Sequence, residues 1–94
     1  MDLANLQATM RATYGDRDSS RGVDATFRWF TEEVGELARA IRTGDRANLE
    51  LELSDVAAWM ASLANLLDVD LDAAVARYAT GCPKCHGQPC ACPI

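Results

Sequence analysis

Two acidic pairs dominate the chemistry of this chain: Glu33-x-x-Glu36 and Glu52-x-x-Asp55. They are mirrored about Gly44, with Glu33 and Asp55 eleven residues to either side, Glu36 and Glu52 eight. The only two tryptophans, Trp29 and Trp59, obey the same symmetry at fifteen. If two antiparallel helices meet at Gly44, the acids face one another at matched heights with an indole close by on each helix. At about 100° per residue, positions i and i+3 share a helix face, so each pair points one way. A solvated face with Arg39 and Arg42 as ion partners is the ordinary explanation for such acids. Two features argue against it. Both tryptophans lie on the acidic stripe, an unusual place for them on a solvated face. The mirror also sets like charges together, at about 1 kcal/mol per pair at 4 Å in water and about 4 kcal/mol at an intermediate dielectric. A cation should offset that cost. Oxygen ligands without His or Cys suit Mg²⁺, with Mn²⁺ as a substitute, and such clusters serve phosphoryl or nucleotidyl chemistry.

The elements that must position these residues are legible as helices. Leu3, Leu6, Met10 and Thr13 or Tyr14 recur at spacings of three and four, with Asp2 as a cap. This first helix should end near Gly15, and Gly15 to Gly22 reads as a polar loop. A second helix carries Val23, Phe27, Phe30, Val34, Leu37 and Ile41, stopped by Thr43-Gly44-Asp45. A third carries Leu49, Leu53, Val56, Met60, Leu63 and Leu67, and Asp70 caps a short last helix bearing Leu71, Ala74, Val75 and Tyr78. The acidic stripe is turned roughly 60–140° from the centre of the apolar seam on both long helices, in the same sense. No strand-like alternation of any length competes with these periods. The expected fold is all-α: a small helical bundle on a central antiparallel hairpin, with residues 1–80 as one helical domain and 81–94 as a Cys-rich tail.

Glu32-Glu33-x-x-Glu36 followed by Glu52-x-x-Asp55 in the next helix resembles the MazG-like all-α nucleoside triphosphate pyrophosphohydrolases. The resemblance runs from about Val23 to Tyr78. It implies a hydrolase that cleaves a (d)NTP to a (d)NMP and pyrophosphate, in house-cleaning of the nucleotide pool. It also implies a homodimer or homotetramer, which suits a chain too small to bury a large core alone. Carried over residue by residue, Glu33, Glu36, Glu52 and Asp55 match the magnesium ligands, and Glu32 matches an assisting acid. The resemblance implies a water, deprotonated with help from one glutamate, attacking the α-phosphorus in line. Trp29 and Trp59 could stack on a base, wall the cleft or pack helices. Relatives continue with a Lys-x-x-Asn-x-Lys run. Here Arg77 stands at the first position but Thr80 and Cys82 at the later ones, which leaves Arg77, Lys84 or a second subunit to hold the phosphates. Two alternatives stay open: hydrolysis of another nucleotide such as phosphoribosyl-ATP, and a non-catalytic interaction module.

All four cysteines, Cys82, Cys85, Cys90 and Cys92, fall in the tail. Their compact spacing favours a structural Zn²⁺ knot, with a mobile reduced tail and a disulfide or redox switch as the alternatives. The net charge of −5 and pI near 4.6 argue against nucleic-acid binding. No apolar run is long enough for a membrane span, and the N-terminus lacks the basic and apolar regions of a signal peptide. Cytoplasmic residence is the expectation.

Overall fold

The computed structural model describes residues 1–94 and contains four α-helices and no strand. Helix α1 spans Leu3–Arg21, α2 Val23–Thr43, α3 Arg46–Leu66 and α4 Leu71–Val75, which passes into a 3₁₀ turn at Ala76–Tyr78. No helix is long and apolar enough to cross a membrane.

The caps follow the sequence. Asp2 accepts from the Asn5 amide at 2.7 Å. Asp45 accepts from Ala47 and Asn48 at 3.1 and 3.4 Å, and Asp70 from Ala73 at 3.2 Å. Gly44 takes the left-handed conformation (φ 71°) that turns α2 into α3, a conformation costly for any residue with a Cβ.

The expected loop after Gly15 does not exist. Helix α1 continues through Gly15 to Arg21, and Gly22 alone joins it to α2. A helical glycine costs only about 1 kcal/mol, which tertiary contacts readily offset. The last turns of α1 supply such contacts. Asp18 is buried and accepts from the Arg21 guanidinium at 2.9 Å. The same Arg21 Nη1 donates to the fully buried Thr26 hydroxyl of α2 at 3.3 Å. Upstream, Arg11 donates to Asn65 of α3 at 3.1 Å. The helix stops at Gly22, whose φ of 83° and ψ of 170° suit only glycine.

A polar clasp locks the other end of α1. Gln7 is buried, donates to the Val69 carbonyl at 2.6 Å and accepts from the Leu71 amide at 3.0 Å. Asn65 donates to the Gln7 carbonyl at 3.0 Å. The two Gln7 side-chain bonds satisfy a carbonyl of the turn between α3 and α4 and the first amide of α4, groups that would otherwise be stranded beside the core.

That core is small. Ala61, Ala64 and Leu71 form it, with Leu3, Leu6 and Met10 packed against them. Only eight of the 94 residues are buried, and four of those are polar, so one chain does not close a hydrophobic interior by itself. The radius of gyration agrees: 15.5 Å, against about 12 Å for a compact chain of this length. Much of the apolar seam of the hairpin lies bare. Val23, Phe27, Val34 and Ile41 of α2 are exposed, as are Leu53, Met60 and Leu67 of α3. Ile41 retains 63% of its surface and Leu53 56%.

Candidate active site

The hairpin register brings the mirrored residues together. Trp29 and Trp59 stack with ring centroids 6.0 Å apart and planes inclined by 12°. Along the same stripe, carboxylate oxygens of Glu33, Glu52 and Asp55 all lie within 4.8 Å of one another. The three acids are half-buried. Glu52 Oε2 is shielded from solvent and has no hydrogen-bond partner, an arrangement that costs free energy unless a cation or donor is supplied. The oxygen-only donor set therefore fits a hard divalent cation on chemistry as well as on position. Glu36 lies outside this trio, with Oε2 at 3.8 Å from Arg39. Glu32 is exposed and lines a shallow depression with Ala25, Arg28 and Trp29.

Beside the acids opens a cleft of about 280 Å³ lined by Tyr14, Arg17, Asp18, Arg21, Asp55 and Trp59, among others. The Arg21 guanidinium carbon stands 4.9 Å from the centroid of the Trp59 ring. Three charged residues of this lining, Arg17, Asp18 and Arg21, come from the stretch expected to be a loop. The sequence carried one signal of them, the helical i, i+3 spacing of Asp18 and Arg21 with no proline to break it. The cations expected from the chain's end lie elsewhere. Arg77 packs over the Tyr78 ring at 5.3 Å, Lys84 is exposed in the tail, and neither lines the cleft. The four cysteine sulfurs form a second convergent group, again within 4.8 Å of one another.

A comparison with protein families matches residues 21–86 to the MazG nucleotide pyrophosphohydrolase domain. The chain belongs to the MazG family. The matched segment begins at Arg21, contains both acidic pairs and both tryptophans, and ends at His86 within the cysteine tail. A comparison with curated proteins returned no match. MazG domains are nucleotide pyrophosphohydrolases, so the acid trio and the adjoining cleft sit on a fold of that hydrolase class.

The electrostatics of the acid trio give this MazG domain a pH signature. Glu33 is held above its ordinary value of 4.5, first by burial, then by the nearby Asp55 and Glu52 carboxylates, with Glu36 adding to them. An acid whose folded pKa is raised binds its proton more tightly when folded. Its penalty is absent below the unfolded value and grows as pH rises through the folded one. The protein without added divalent cation should therefore lose thermal stability as pH is raised from about 4.5 toward neutrality. Mg²⁺ should restore more of it at pH 7.5 than at pH 5, and Glu33→Gln should flatten the profile. Melting curves across pH measure this, and a Glu33→Gln profile parallel to wild type would refute it.

Proposed function

We propose that this MazG domain is a magnesium-dependent nucleoside triphosphate pyrophosphohydrolase that converts (d)NTP to (d)NMP and pyrophosphate, serving nucleotide-pool house-cleaning. The observation that carries the reading is the convergence of Glu33, Glu52 and Asp55, with an unpartnered buried oxygen on Glu52, beside a cleft that holds two arginines and an indole. Glu33, Glu52 and Asp55 would hold the cation, with Glu36 as the fourth carboxylate of the motif and Glu32 as an assisting acid. When bound, magnesium supplies charge neutralisation on the phosphates and makes a coordinated water more acidic. The chain's own groups do the rest. Arg21 and Arg17 take phosphate oxygens. A glutamate of the group accepts the proton of a water attacking the α-phosphorus in line, and pyrophosphate leaves. Trp29, 46% exposed, keeps ring surface free to stack on a base.

The test is a panel of standard and damaged nucleoside triphosphates with Mg²⁺, scored for monophosphate plus pyrophosphate. Products from that panel support the reading. Turnover confined to another pyrophosphate-linked nucleotide such as phosphoribosyl-ATP would overturn the substrate class while keeping the reaction. No turnover, with no metal-dependent nucleotide binding, would make the domain an interaction module.

The assembly in this reading is a homodimer or homotetramer, supported by the exposed rows of Phe27, Val34 and Ile41 on α2 and Leu53 and Met60 on α3. Burying one Ile or Leu side chain contributes about 1.5–3 kcal/mol, and a two-fold interface counts it twice. Ile41→Lys or Leu53→Glu should therefore weaken association by about 100-fold or more. Light scattering after size exclusion checks this. A wild-type mass of 10.2 kDa at micromolar concentration would exclude the assembly.

A further inference from the structure

Residues 79–94 contain no helix or strand, and most of their side chains are exposed. Nothing apolar explains why this segment folds back on itself, yet it does. Cys82 donates its amide to the Gly87 carbonyl at 3.1 Å, and His86 donates its own to the Cys82 carbonyl at 2.7 Å, closing a tight loop between the first two cysteines. That loop and the following turn drive four free thiols together. Cys82 and Cys92 sulfurs are 3.6 Å apart, and Cys85 and Cys90 sulfurs 3.9 Å apart.

We infer that Cys82, Cys85, Cys90 and Cys92 form a structural four-thiolate zinc site that staples the C-terminal tail. A tetrahedral zinc with Zn–S bonds of about 2.3 Å has sulfur–sulfur edges of about 3.8 Å. The two short sulfur contacts bracket that edge. The surrounding backbone is arranged for thiolates rather than thiols. Gly87 and Ala91 amides both donate to Cys85 Sγ, at 3.4 and 3.3 Å, and the Cys92 amide donates to Cys90 Sγ at 3.4 Å. Four thiolates whose sulfurs all lie within 4.8 Å of one another repel strongly. A dication relieves that conflict and leaves the site with net charge −2. The all-sulfur, closed tetrahedral donor set selects zinc over the hard cation suited to the acid trio. His86 adjoins Cys85 but is exposed and is not needed as a fifth donor. The inference is independent of the nucleotide reading, since no residue is shared.

The full-length protein, purified without chelator under reducing conditions, should carry about one zinc per chain by elemental analysis. Mercurial titration of its thiols should release that zinc in step with modification of four sulfurs. Cobalt exchange should give the sulfur-to-metal charge-transfer and visible bands of a tetrahedral thiolate site. Cys85→Ser and Cys92→Ser should each lower zinc retention at least ~10-fold. Circular dichroism checks that the helices of each variant persist, and Glu52→Gln should keep the full zinc content. Absence of zinc with four freely reactive thiols, iron in its place, a mass lower by the hydrogens lost to disulfides, or zinc that leaves with Glu52→Gln would each overturn the assignment.

Discussion

Glu52→Gln is expected to cut magnesium-dependent pyrophosphate release by about 100-fold or more, the scale of losing one electrostatic contact aimed at the reacting centre. The same change should make the magnesium-free protein more stable. Gln keeps the shape of Glu but removes one of three negative charges whose oxygens lie within 4.8 Å. Its amide nitrogen can donate to Glu33 or Asp55 where Glu52 Oε2 has no partner. Relief of about 1 kcal/mol of repulsion would raise the melting temperature by about 4–8 °C in a domain of this size.

Opposite signs for activity and stability separate a cation site from a structural polar cluster. If the trio only held the hairpin together, Gln would lower stability, and activity would follow the folded fraction. If it is built for a cation, stability without magnesium rises, magnesium-induced stabilisation shrinks and turnover collapses. A coupled pyrophosphate assay, with melting curves with and without Mg²⁺, reads all three. Full magnesium-dependent turnover by the variant would sink the metal-ligand role of Glu52.

The hairpin was the legible part of this chain because a helix pair joined through one left-handed glycine has its register set by counting. Counting from Gly44 paired Trp29 with Trp59 and set Glu33 against Asp55, and the rings and oxygens meet there. Counting also paired Glu36 with Glu52, and there it fell short. Glu52 shares its oxygen cluster with Glu33 and Asp55, while Glu36 lies near Arg39 on its own helix. Backbone register does not fix which of two neighbouring rotamers a long carboxylate takes.

Two other features were hidden for different reasons. Periodicity identified the seam from Val23 to Ile41 as one face but could not say what covers it, and one chain leaves much of it bare. Residues 16–21 looked like a loop because local propensity dominated the reading. Their helix depends on Asp18, Arg21 and Thr26 meeting at the elbow between α1 and α2, a set of contacts that spans Gly22 and that backbone propensity does not register.

That elbow is where the second large effect is expected. Arg21→Ala should lower kcat/KM by about 10–100-fold, since a hydrogen bond to a charged group contributes about 1.5–3 kcal/mol. Arg21 has the geometry for the task. Nη1 is committed to Asp18 and Thr26, which fixes the guanidinium over Trp59, while no protein hydrogen bond engages Nη2 or Nε. Arg17 lines the same cleft, so two cations from α1 face the acid side through Asp55. Lysine at position 21 would keep the charge but lose the planar fork, so Arg21→Lys should recover only part of the loss. The alanine variant alone is ambiguous, because it strands the buried Asp18 carboxylate at a cost of about 3–5 kcal/mol. Pairing it with Asp18→Asn removes that stranded charge. The double variant should regain most of its melting temperature while kcat/KM stays low, chiefly through a raised KM for the triphosphate. Arg77→Ala should change kcat/KM far less, its guanidinium being stacked on Tyr78 away from the cleft. A folded Asp18→Asn/Arg21→Ala protein within about twofold of wild-type kcat/KM would show that Arg21 serves the elbow alone.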